Sequence, residues 1–228
     1  MHKKHVIITG ASSGIGLTCA KLFSEQGYAV ALLARNLAAM EKLNLPNAMC
    51  IVADVTDYDA LKQAIAQAEN KFGPVDCLIN NAGFAKGGDF NEVAHADHET
   101  TVKVNLLGVI NGMEAVLPGM RIRKTGTIIN VSSVADRSVR PQIATYAATK
   151  AAVKNLSESL RVANAKYGIR ICNFAPAKID TPMMITANLK DNQIISVESA
   201  AKTILWMYEQ PQDVCVRDLV LAPTYYET

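Results

Sequence analysis

The chain has 228 residues, half of them apolar and 19% charged, with a formal net charge of +2. That is ample material for a buried core and speaks against disorder, while the scattered Lys and Arg give no reason to expect nucleic acid as a partner. The cysteines, Cys19, Cys50, Cys77, Cys172 and Cys215, are odd in number and form no CxxC pair, which implies reduced thiols in a cytoplasmic setting rather than a disulfide frame or zinc site. The apolar run after MHKKH is too short for a signal-peptide core, and no segment approaches membrane-spanning length, so no membrane partner is expected.

Short β-branched runs alternate with helical patterns throughout. A strand is expected at His5–Thr9 and a helix at Gly14–Gln26, with Ile15, Ala20, Leu22 and Phe23 facing a core. Tyr28–Ala34 is apolar on both faces, as a buried parallel strand requires. A short helix at Asn36–Leu43 and a strand at Ala48–Ala53 follow. Asp57 is a good N-cap for a helix over Tyr58–Phe72, which Gly73-Pro74 ends before a strand at Val75–Asn80. After a glycine-marked loop, a long helix is expected from Ala96 to Val116, stopping before Pro118-Gly119. Then come a strand at Thr127–Val131, a helix at Ile143–Tyr167 closed by Gly168, and a strand at Ile169–Phe174. A helix at Val197–Tyr208 and a strand at Val214–Leu221 complete the chain. This alternation predicts one α/β domain over 1–228, a doubly wound parallel sheet with helices on both faces.

Between the first strand and first helix lies Thr9-Gly10-Ala11-Ser12-Ser13-Gly14-Ile15-Gly16. Glycines there let the backbone turn tightly and approach a pyrophosphate held at the helix N-terminus. The spacing is GxxxGxG, not the more general GxGxxG. Farther on, Tyr146 and Lys150 share one helix face, roughly 5–6 Å apart at Cβ, and Ser133 lies thirteen residues before the tyrosine. A cation about 4 Å from a phenol, at an effective dielectric near 20, lowers its pKa by up to about three units. Lys150 is therefore expected to draw Tyr146 toward neutrality, against desolvation, which acts the other way. The pair alone proves little: Tyr58 and Lys62 have the same spacing, but thirteen residues before Tyr58 stands Leu45.

Taken together, TGASSGIG, Asn80-Asn81-Ala82-Gly83, Asn105 within VNLLG, Ser133 and the Tyr146–Lys150 pair resemble the short-chain dehydrogenase/reductase family, in its order and over nearly the whole chain. The resemblance implies a single-domain Rossmann-type fold and an NAD(P)-dependent oxidoreductase acting on CH–OH/C=O. It implies that Tyr146 is the acid/base, that Ser133 holds the substrate oxygen, and that Asn105 anchors a water relaying protons to Lys150. It places cofactor contacts at Gly10, Ser12, Ser13, Gly14, Ile15 and Gly16, at Asn81, Ala82 and Gly83, and at Tyr146 and Lys150. Asp54-Val55 would meet the adenine, although Asp54 also suits a turn cap. Pro176 and Ile179 would be further cofactor contacts, and Thr181 would meet the nicotinamide carboxamide. The family usually has Pro-Gly where this chain has Pro176-Ala177, so an allowed variant of that loop is expected.

NADP(H) is favoured over NAD(H). The strand end Ala34-Arg35-Asn36 lacks the acid that binds a ribose 2′-hydroxyl, and Arg35 offers a charge-assisted pair to a 2′-phosphate. Ser13 stands where many NADP-using relatives carry a basic residue. The segment after Pro176 is short, with Met183, Met184 and Ile185 as an apolar wall and Asn188, Lys190 and Asn192 as polar positions. The tail QPQDVCVRDLVLAPTYYE and Leu117-Pro118-Gly119-Met120 resemble bacterial 3-hydroxy acid dehydrogenases of the family, implying a small 3-hydroxy or 3-oxo acid substrate. A 3-oxoacyl-thioester or broad carbonyl reductase would share every motif, and a non-catalytic NADP-binding sensor is the competing class. By resemblance the two long helices would form a homodimer or homotetramer interface; Ala147, Ala148, Ala151 and Ala152 would permit close packing there, or equally against the sheet. His95 and His98 read as surface or capping residues rather than metal ligands, and Cys172 and Cys215 as core thiols.

Overall fold

The computed structural model describes residues 4–183 and 193–226. Met184, Ile185, Asn188, Lys190 and Asn192 of the expected substrate loop lie outside the described residues. Seven parallel strands form one sheet in the order β3-β2-β1-β4-β5-β6-β7. They are β1 (His5–Thr9), β2 (Ala29–Ala34), β3 (Ala48–Val52), β4 (Val75–Asn80), β5 (Gly126–Val131), β6 (Ile169–Pro176) and β7 (Asp218–Leu221). The helices are α1 (Gly14–Glu25), α2 (Leu37–Glu41), α3 (Tyr58–Phe72), α4 (His95–Val102), α5 (Gly108–Arg123), α6 (Ala144–Asn164) and α7 (Val197–Glu209).

The central strands are apolar on both faces because both are covered. Val6 and Ile8 of β1 join Cys19, Phe23 and Ile204 on the α1–α7 side. Ile7 joins Leu61, Met113 and Val153 on the side of α3, α5 and α6. Strand order reverses between β1 and β4, and a doubly wound sheet opens its ligand crevice at the carboxyl ends of such a pair. The glycine turn leaves β1 there, and Asn81 leaves β4 beside it.

Two expected boundaries move by more than three residues. The long helix does not stop at Val116: it runs through Pro118 to Arg123. Proline frees the carbonyl four residues back, here that of Glu114, and both Glu114 and Pro118 lie on the exposed face where water can satisfy it. Leu117 and Met120 stay buried on the opposite side and hold the helix on course. The last strand begins at Asp218, not Val214. Before it, Arg217 turns out to Glu158 and Cys215 turns in to Cys172, with only the Arg217 carbonyl accepting from the Asn173 N–H at 2.9 Å.

The cysteine reading also changes at one position. Cys172 is buried, but Cys215 is half-buried with its sulfur 4.0 Å from that of Cys172. The neighbouring Cys172 thiol, helped by Arg161 and Arg170, pulls the Cys215 pKa down. His98 is no simple surface residue either: its Nδ1 lies 2.7 Å from Thr145 Oγ1 and its Nε2 3.3 Å from the Phe90 carbonyl, tying α4 to the start of α6. Exposed His95 pairs with Glu99 one turn on. Among the described residues no group of three or more His, Cys, Asp or Glu could hold a metal ion, and no helix is long and apolar enough to cross a membrane.

Candidate active site

The site is built on a mutual clamp between the two motifs at the switch point. Asn81 Nδ2 donates to the carbonyls of Thr9 (3.0 Å) and Gly10 (3.2 Å). In return the Thr9 hydroxyl accepts from the N–H groups of Asn81 (3.0 Å) and Ala82 (3.1 Å). The glycines then have a physical explanation. Gly10 and Gly14 take φ of +64° and +52°, and a Cβ at Gly16 would stand 2.4 Å from Asn81 Nδ2 and 2.5 Å from the Gly10 carbonyl oxygen. The chain thus folds back on itself at the α1 N-terminus, whose cap residue Ser13 makes no side-chain cap bond.

One cavity of about 860 Å³ runs from this turn across the carboxyl ends of the strands. Of the expected catalytic and cofactor-contact residues, all but Gly16 and Asn105 line it. Gly16 lies beneath the turn. Asn105 is buried behind the cavity wall, in a single π-helical turn, Lys103–Leu107, between α4 and α5. Its amide holds the wall together. Oδ1 accepts from the Phe84 N–H at 2.7 Å, and Nδ2 donates to the Phe84 carbonyl at 2.8 Å and to Thr149 Oγ1 at 3.3 Å. Both amide hydrogens are therefore committed, one of them to Thr149, the residue before Lys150.

At the adenosine end, Asp54 does cap a turn. Its Oδ1 accepts from the Thr56 N–H (2.9 Å) and hydroxyl (2.8 Å). Burial raises its pKa, but the Thr56 bonds and Arg35 outweigh that and hold the carboxyl below its ordinary range. Arg35 itself is exposed along the cavity and makes no ion pair with a described residue. At the other end, Ala177 is buried with a φ outside the left-handed region, and its N–H donates to the Leu221 carbonyl at 2.7 Å, so alanine is accommodated without strain. Thr181 packs on the glycine turn: a Cβ at Gly14 would meet its Cγ2 at 3.1 Å. A nucleotide fits this surface, since a tight glycine cradle, a helix N-terminus and an unpaired cation lie along one wall.

Ser133, Tyr146 and Lys150 come together where β5 ends against α6. Lys150 is buried, its Nζ donating to the Val131 carbonyl at 2.8 Å and lying 5.6 Å from the Tyr146 ring centroid. Burial pulls its pKa down to about 8, partly countered by Asp136. For Tyr146 the balance falls on the side of desolvation: burial raises its pKa, Ser133 opposes, and Asp136 adds to the rise. The Lys150 ammonium meanwhile hydrogen-bonds the Val131 carbonyl.

Asp136 is the residue that sequence reading missed. Its carboxylate is buried beneath the site and accepts from Ser132 Oγ (3.0 Å), Asn173 Nδ2 (3.0 Å) and Arg137 Nε (2.6 Å). Arg137 reaches on to Asp218 of β7 at 2.8 Å. The Ser-Ser dipeptide and the Asp-Arg pair were visible, but no spacing rule joins residues from β5, β6 and β7.

Comparison with known proteins agrees with this geometry. The family model described as short chain dehydrogenase matches residues 4–192. An uncharacterized oxidoreductase of Listeria monocytogenes is 34% identical over 97% of this chain and 96% of its own. A closed serine dehydrogenase complexed with NADP+ superposes with a TM-score of 0.90 at 26% identity, covering 98% of this chain and 96% of that one. A 3-ketoacyl-(acyl-carrier-protein) reductase from Brucella melitensis complexed with NADH gives 0.91 at 26% identity, covering 97% of each. The chain belongs to the short-chain dehydrogenase/reductase family and is an NAD(P)-dependent oxidoreductase of carbonyl and alcohol groups.

Proposed function

We propose that the protein is an NADP-dependent reductase of small 3-oxo acids, reversibly forming 3-hydroxy acids, with Tyr146 as the acid/base. The observation that carries the reading is the Ser133–Tyr146–Lys150 cluster, with Lys150 buried and the other two half-buried, opening onto the same cavity as the glycine turn. The nicotinamide, when bound, supplies or accepts the hydride. Ser133 holds the substrate oxygen by hydrogen bond and aligns it with the Tyr146 hydroxyl. Tyr146, kept neutral by burial, donates its proton to that oxygen as charge builds on it. Lys150, with a pKa near 8, can take up or release a proton close to physiological pH and re-protonate the phenol. Asn105 is a positioning residue that locks the Phe84 backbone to α6 through Thr149.

The cofactor preference rests on Arg35 and on the lack of an acid at the end of β2. The solved relatives bind both nucleotides, with NADP+ in one and NADH in the other. Arg35→Asp should weaken NADPH at least tenfold more than NADH in fluorescence titrations; equal effects would contradict the preference. The substrate class rests on the tail resemblance and on the serine dehydrogenase, since serine is itself a 3-hydroxy acid. NADPH oxidation followed against 3-oxo acids, aldehydes, quinones and ketosteroids tests it. Tight NADPH binding with no turnover would favour the sensor reading.

Assembly as a homodimer or homotetramer is part of the proposal. Thr149, Lys150, Val153 and Ser157 face α6 inward, whereas Ala148 and Ala151 are exposed, free to pack on a second copy.

A further inference from the structure

The substrate end of the cavity carries a positive charge that the proton chemistry above does not use. Arg140 stands just before the short turn that leads into α6 and Tyr146, and Lys178 lies two residues beyond Pro176. Both line the cavity together with Tyr146 and Ser133. They converge on Tyr226, which the C-terminal turn folds back through its N–H bond to the Pro223 carbonyl at 3.0 Å. Arg140 Nη2 donates to the Tyr226 hydroxyl at 2.5 Å. The Arg140 guanidinium carbon and the Lys178 Nζ lie 6.0 Å and 5.5 Å from the same Tyr226 ring centroid. All three residues are half-buried, and among the described residues neither cation has a carboxylate partner.

Two cations held on one aromatic ring in a concave site, without a described carboxylate partner, offer a seat for an anion. Apolar Ile143 and Phe84 line the same cavity and offer a wall to a short carbon chain. The nucleotide phosphates already have a seat at the α1 N-terminus, flanked by Arg35. We propose that Arg140 and Lys178 form a carboxylate subsite, with Tyr226 holding both in place, and that the substrate is recognised as a free short-chain oxo or hydroxy acid anion. This rests on the oxidoreductase reading and deepens it, because it sets the free acid apart from the uncharged ester and from the thioester.

The test compares kcat/KM for acetoacetate, methyl acetoacetate and acetoacetyl-coenzyme A, with NADPH, in the wild type and in the Arg140→Gln/Lys178→Gln double variant. NADPH titration and thermal melting check that the variant is folded. The acid-to-ester ratio should fall about 100-fold in the variant, mainly through KM for the acid. An unchanged ratio overturns the subsite, and so does a wild-type preference for the thioester that the double variant abolishes, which would assign the cations to its phosphates. Calorimetric titration of 3-hydroxybutyrate into the NADP+-loaded protein separates the two readings. Binding lost in the double variant, without turnover of any compound, keeps the subsite and removes the reductase assignment. Ester turnover without carboxylate binding does the reverse.

Discussion

Tyr146 and Lys150 are set by what surrounds them more than by each other. Burial raises the phenol and lowers the ammonium, while the Asp136 carboxylate raises both. Asp136→Asn should therefore move the alkaline limb of the kcat/KM profile to lower pH, at a stability cost of about 2 kcal/mol from disturbing a buried, multiply bonded group. A variant with wild-type pH dependence would reduce Asp136 to a structural strut. Lys150 also makes stability depend on pH. Its folded pKa of about 8 lies below the ordinary 10.5, so between those values the unfolded chain binds more protons and folding stability rises with pH. Above about pH 10 the raised Tyr146 begins to oppose this, because the unfolded phenol ionises first. Denaturant melts from pH 8 to 10 should show an increase of at most about 3 kcal/mol that is missing in Lys150→Met.

At the scale of elements, the glycine turn and the strand after it work as one part. Gly16 cannot gain a Cβ without striking Asn81 Nδ2 or the Gly10 carbonyl. Gly16→Ala should weaken NADPH binding more than tenfold while the melting temperature falls only a few degrees, since one clamp bond is lost and the core is untouched. Retained affinity would mean that the turn can open without harm. These features were legible in the sequence because they are local: glycine spacing, the Asp57 cap and the β-branched runs each encode their own conformation. The continuation through Pro118 was not, because it depends on which face of α5 meets water. The π turn that seats Asn105 was equally hidden, being set by the contacts of Phe84 and Thr149 rather than by any helix pattern. The Lys150 bond to the Val131 carbonyl was hidden for a related reason: i,i+4 spacing gives proximity to Tyr146 but not the partner of the ammonium.

For the whole molecule, the strand order places the cradle and the Tyr–Lys pair on the same edge of the sheet, so one cavity spans nucleotide and chemistry. The Asp136–Arg137–Asp218 chain links that chemistry to β7, the last strand of the sheet. In the proposed mechanism the neutral Tyr146 phenol gives the proton, Lys150 restores it, and the rest of the cavity binds and aligns. Tyr146→Phe removes one oxygen and little else. Single-turnover NADPH oxidation with acetoacetate, alongside NADPH titration, tests it directly. The account predicts unchanged nucleotide affinity and a rate lower by a factor of about 10² to 10⁴. A phenylalanine variant that keeps near-normal turnover would contradict it.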